Sequence, residues 1–83
     1  MTMTVKQKVI AGKALRQFIE ENFINYSDFA RSMGTLPATV THWMTGRNPI
    51  PVRIVERLGV LFPDSLDKAQ LRPDAYIDNA IML

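Results

Sequence analysis

Apolar side chains recur along this chain at helical spacing in several short stretches, punctuated by glycine and proline. From Lys6 to Asn22, Ile10, Ala14, Leu15, Phe18 and Ile19 share one helical face, with Lys13, Arg16, Gln17, Glu20 and Glu21 opposite. This spacing predicts a first and longest helix. Gly12 weakens its early turns by about 1 kcal/mol relative to alanine, so the residues before it are expected to fray.

Ser27 stands where an N-cap hydroxyl would accept from a first-turn amide, which predicts a second helix to about Met33, with Phe29, Ala30 and Met33 inward. Gly34 follows at the position where helices often end in a left-handed residue. Pro37 suits the first position of a third helix, because its missing amide hydrogen would have no helical partner there. That helix is expected to reach about Thr45, with Val40, Trp43 and Met44 inward and Ala38, Thr39, Thr41, His42 and Thr45 outward. After Gly46 and the loop RNPIP, Pro51 opens VRIVERLGVLF, a fourth amphipathic helix with Ile54, Val55, Leu58 and Leu61 as core candidates. Asp64, with Asp67 three residues on, resembles a capping box for a short fifth helix ending at Arg72-Pro73. The stretch AYIDNAIML is apolar but too short to form a core of its own.

The expected fold class is therefore all-α, a compact bundle of four to five short helices with a short C-terminal tail. Eighty-three residues accommodate one domain, taken as 1–75, followed by an apolar tail at 76–83. A domain of this size buries only about 60 to 65% of its unfolded surface, so a partner subunit would add needed stability. With 47% apolar and 22% charged residues the composition is that of a globular protein. No apolar run approaches the roughly 18 residues that cross a bilayer, and lysines interrupt the N-terminal apolar positions, so the expectation is a cytoplasmic protein without membrane contact.

Charge is unevenly distributed. Residues 1–57 carry eight Lys or Arg against four acidic side chains, whereas residues 58–83 carry two against four. A basic front and an acidic back suit a protein that offers one face to a polyanion, although a solvated surface with chance asymmetry fits as well. The chain has no cysteine and one histidine, which leaves no thiol nucleophile, no metal-ligand spacing and no nucleophile–base constellation. An enzyme, a cofactor and a metal site are accordingly not expected.

Between Asn25 and Pro51 the chain reads NYSDFARSMGTLPATVTHWMTGRNPIP, two short apolar-periodic segments either side of a turn. Ala30 lies four positions before Gly34, Val40 between Gly34 and Trp43, and Gly46 three after the tryptophan. The constellation resembles the Cro/CI-type helix-turn-helix regulators of bacteriophages and bacteria. With GRNPIP, the following amphipathic helix and LRPDAY, it is most similar to their Cro-like (YdaS-like) branch. The resemblance covers about Phe18 to Tyr76. It departs from the family at Leu36, where a capping Ser or Thr is usual, and at Thr35, where the family has an apolar residue.

The resemblance implies a lambda-repressor-like DNA-binding domain that lays its third helix in the major groove. The family's base-reading positions, counted from Gly34, fall on Pro37, Ala38, Thr39 and His42. Ala38 and the Thr39 methyl suit a thymine methyl, and a His42 ring N–H suits guanine O6 or N7. A lone histidine is more often a surface or packing residue, but the expected outward face favours DNA contact. Phosphate contacts are expected to flank this set, from Thr41, Thr45, Arg47 and Asn48, with Arg31 and either Lys13 or Arg16 adding charge. Arg53 and Arg57 read as surface pairs around Glu56, and Arg72-Pro73-Asp74 as a helix stop with locally paired charges.

The resemblance thus implies a repressor of phage or prophage type, binding an inverted-repeat operator in double-stranded DNA as a homodimer, with Tyr76 to Leu83 as a candidate dimer contact or else a frayed end. The alternative is an antitoxin-type interaction module that neutralises a protein partner through its acidic, apolar C-terminal part and binds DNA as well.

Overall fold

The computed structural model describes residues 3–76. Among them lie five helices and no strand: α1 (Val5–Asn22), α2 (Tyr26–Ser32), α3 (Pro37–Met44), α4 (Val52–Leu61) and α5 (Lys68–Leu71). No helix in this range is long and apolar enough to cross a membrane. Of the expected tail at 76–83, only Tyr76 falls within the described residues, so its role as a dimer contact lies outside them.

The turns of α1 before Gly12, where fraying is expected, are helical and capped. Thr4 and Gln7 form a capping box: the Gln7 amide donates to Thr4 Oγ1 at 3.0 Å, and the Thr4 amide to Gln7 Oε1 at 2.9 Å. The buried face of α1 is Ala11, Gly12, Leu15, Phe18 and Ile19, while Ile10, expected inside, is 51% exposed. Gly12 explains the shift, because it lies against the carbonyls of Trp43 and Met44 and so turns this side of α1 toward α3.

α2 begins earlier than expected. Its N-cap is Asn25, whose Oδ1 accepts from the Asp28 amide at 2.8 Å, and Ser27 lies inside the helix. Both residues have capping side chains, so composition alone did not choose between them. Tyr26 favours the earlier start: it packs on the core and its hydroxyl, 3.1 Å from Glu20 Oε2, donates to that carboxylate. α2 ends on Gly34 at φ 70°, with the Gly34 amide donating to Arg31 O and the Thr35 amide to Ala30 O. This paired closure satisfies carbonyls that would otherwise end without partners.

α3 packs between α1 and α2, and α5 bridges α1 and α4. Phe29, Ala30, Met33, Val40, Trp43, Ile54, Val55 and Leu58 are all buried, as the periodicity indicates. Leu61, expected in the core, is 53% exposed; Phe62 turns inward instead and meets Phe18 edge to face, ring centres 5.0 Å apart. Phe23 joins the same cluster, 5.0 Å from Phe29 and 5.8 Å from Phe62. Each such pair contributes about 0.5 to 1.5 kcal/mol beyond burial, which favours the aromatic over the leucine at this corner.

α5 is also shorter than expected, capped by Asp67 rather than Asp64, with Asp67 Oδ1 accepting from the Ala69 amide. Glu56 is paired across the fold rather than along α4. It accepts from Lys68 Nζ at 3.0 Å and from the Tyr76 hydroxyl, which together hold its carboxyl below the usual range, the tyrosine contributing most. Burial and then the Glu56 carboxylate push the Tyr76 hydroxyl up to about 12. Among the described residues Arg53 and Arg57 make no ion pair, so their expected pairing with Glu56 is not found.

Candidate nucleic-acid interface

The side of α3 that faces the protein is Val40 and Trp43, 0% and 3% exposed. Their burial sets the rotation of the helix, and with it which side chains are left outside. Pro37, Ala38 and Thr41 are exposed, and Thr39 and His42 are half-buried at the edge of the same surface. The four residues assigned to base contact and the threonine between them therefore form one continuous strip of small or polar groups. Leu36 caps α3 without a side-chain hydrogen bond and is 69% exposed, while Thr35 is half-buried. The exchanged pair is thus accommodated with Pro37 still the first helical residue.

Not every hydroxyl in the strip is free to donate outward. Thr41 Oγ1 donates to the Pro37 carbonyl at 3.1 Å, and Thr45 Oγ1 lies 3.4 Å from the His42 carbonyl. Such back-bonding leaves oxygen lone pairs and methyl groups at the surface, so a phosphate oxygen is met by these side chains only after the hydroxyl rotates.

The loop after α3 is tightly held. Gly46 has φ 81°, and a Cβ there would come within 2.9 Å of Val9 backbone atoms, so the loop is seated directly on α1. The Gly46 amide donates to Trp43 O at 3.2 Å, and the Asn48 amide to His42 O at 3.1 Å. At the end of α2 the corresponding second bond comes from the residue directly after the glycine; here it comes from one residue later, and Arg47 is looped out between. The backbone amide of Asn48 is therefore spent within the protein, and its exposed side chain is what remains for a ligand. Ile50 is 1% exposed, and its carbonyl accepts from Arg72 Nη1 at 2.9 Å.

The looped-out Arg47 is exposed, and its Nη1 lies 3.5 Å from His42 Nε2. That is the long end of hydrogen-bond range, so the contact orients the side chains more than it stabilises the fold. Arg31 is 79% exposed on α2, with Asp28 4.0 Å away, and Arg16 lies 3.8 Å from Glu20 and donates to Tyr26 Oη at 3.2 Å. Lys13 is exposed on α1 next to Gly12. Among the described residues no group of three acidic or histidine side chains is placed to hold a metal ion.

The residues assigned from the sequence are thus exposed except Thr39 and His42, which are half-buried, and two features of the arrangement were missed. One is the juxtaposition of His42 and Arg47, which depends on the extra looped-out residue. The other is the anchoring of the loop through buried Ile50 and Arg72, two residues far apart in the chain; only the apolar Ile50 between two prolines hinted at it. Comparison of the chain with protein-family models, curated proteins and solved structures returned no match.

Proposed function

We propose that the chain is a sequence-specific double-stranded DNA-binding transcriptional regulator, a Cro-like repressor of phage or prophage type that acts in the cytoplasm and binds an inverted-repeat operator as a dimer. The observation that carries this reading is the division of α3: Val40 and Trp43 are buried between α1 and α2, while Pro37, Ala38 and Thr41 are exposed, with Thr39 and His42 half-buried at the edge of that surface. In this reading α2 and α3 form the helix-turn-helix, closed by Gly34. A helix so held projects its outer side chains as a rigid strip, which is what reading base edges in a major groove requires.

Ala38 and the Thr39 methyl meet thymine methyls, and His42 reaches a base edge. Arg31, Asn48, Thr41 and Thr45 lie over the flanking phosphates, and Arg47 stands between the two sets. One module of this size buries too little surface for tight binding alone, so two subunits occupy half-sites about 34 Å apart.

Selection of randomised duplex DNA by the purified protein at about 150 mM salt tests this, since non-specific binding weakens steeply at that ionic strength. A two-fold symmetric consensus is the expected result. Recovery of no consensus by folded protein would sink the proposal and bring forward the reading as a protein-partner module.

A further inference from the structure

The outer strip of α3 lacks any side chain that can make two parallel hydrogen bonds to one base. Proline and alanine offer none, threonine has a single hydroxyl, and histidine presents one ring nitrogen at a time. The group best suited to guanine, a guanidinium, comes from outside the helix. Arg47 is looped out between Gly46 and Asn48, whose amides are bonded to the last turn of α3, and the loop is seated on Val9. Its guanidinium lies at His42 on the reading strip, with Nη1 3.5 Å from Nε2.

A guanidinium only donates, so a hydrogen bond here requires the His42 tautomer in which Nε2 accepts. With Nη1 turned to the ring, the opposite edge of the guanidinium, Nε–H and Nη2–H, is left as a pair of parallel donors. That pair matches O6 and N7 of guanine in the major groove.

We propose that His42 and Arg47 act as one reading unit, in which His42 positions Arg47 to recognise a guanine, so that Arg47 determines specificity rather than merely holding a phosphate. This inference rests on the DNA-regulator reading above. It supplies the discriminating contact that α3 alone lacks, and it places the guanine toward the C-terminal end of that helix.

The test repeats the duplex selection with Arg47→Lys, His42→Leu and His42→Gln, each checked for an unchanged circular-dichroism melting curve. Arg47→Lys keeps the charge but replaces the rigid planar two-donor edge with a flexible ammonium. It is expected to lower the preference for guanine over other bases at one position per half-site by about fivefold to hundredfold, with the salt dependence of affinity retained. His42→Leu is expected to relax the preference at that same position, and His42→Gln, whose amide oxygen can accept from Arg47, to restore most of it. Loss of affinity for all sequences alike in Arg47→Lys, with guanine still preferred, would return Arg47 to a phosphate. An unchanged preference in His42→Leu would show that the two side chains are uncoupled. Failure of the wild-type protein to select any consensus would overturn the DNA-regulator reading itself and this inference with it, and it is distinguishable because it precedes any variant.

Discussion

Gly12 lies in the middle of α1, where helix propensity alone makes it a defect of about 1 kcal/mol relative to alanine. A Cβ at this position, however, would stand 2.6 Å from the Trp43 carbonyl oxygen and closer still to that of Met44. Those are backbone atoms at the end of α3, and they cannot swing aside as a flexible side chain would. Forcing extra volume into such a contact costs about 1 to 3 kcal/mol, which outweighs the propensity gain. Gly12→Ala is therefore expected to lower stability in urea unfolding by about 1 kcal/mol. A variant more stable than wild type would mean that α3 does not rest on this residue. Gly34→Ala is a useful contrast: nothing lies within 4 Å of a Cβ there, and its cost is only the left-handed backbone at φ 70°, about 1 to 2 kcal/mol. The need for Gly34 was legible because the turn is local. The need for Gly12 was not, because it arises from a helix that crosses some thirty residues later in the chain.

At the scale of elements, existence and order were readable, as were the end of α1 at Asn22 and the start of α3 at Pro37, but the starts of α2 and α5 were not. The spacing of apolar residues located α1 to α4, and capping and stop signals located the short α5. Those two starts depend on which of several capping groups tertiary packing selects, as Asn25 over Ser27 and Asp67 over Asp64 illustrate. Asn25→Ala should therefore cost about 1 kcal/mol, and Ser27→Ala only a few tenths. α3 invites the opposite experiment. Its N-cap, Leu36, has extended backbone at φ −97° and ψ 149°, no side-chain hydrogen bond and 69% exposure. A hydroxyl at that position could accept from an amide of the first turn without giving up buried contacts. Leu36→Ser is expected to raise the urea midpoint, equivalent to about 1 kcal/mol. A lowered midpoint would show that the leucine packs where the structure leaves it in solvent.

Across the whole molecule, the loop of the candidate site is tied down by a contact that reads in the sequence as a local charge pair. Arg72 binds Asp74 through Nε and Nη2, both at 2.8 Å, and its Nη1 donates to the carbonyl of Ile50, 22 residues earlier. The segment after α5 is thereby fastened to the loop that carries Arg47. The Arg72 and Asp74 side chains are 17% and 8% exposed, so removing either leaves the other partly desolvated without its partner. Arg72→Ala is expected to cost about 2 kcal/mol, between the values for an exposed and a fully buried pair. The two hydrogen bonds from Arg72 hold the Asp74 carboxyl below its ordinary range. A carboxylate depressed in the folded state stabilises fully above its unfolded value, near 3.9, and that contribution is lost as pH falls through the lower folded value. The stability difference between wild type and Asp74→Asn should accordingly be constant from neutral pH down to about pH 5 and shrink in more acid solution. Measured by urea unfolding at successive pH values, a difference that stays flat down to pH 2 would mean that the charge on Asp74 contributes nothing and that the clasp is held by packing alone.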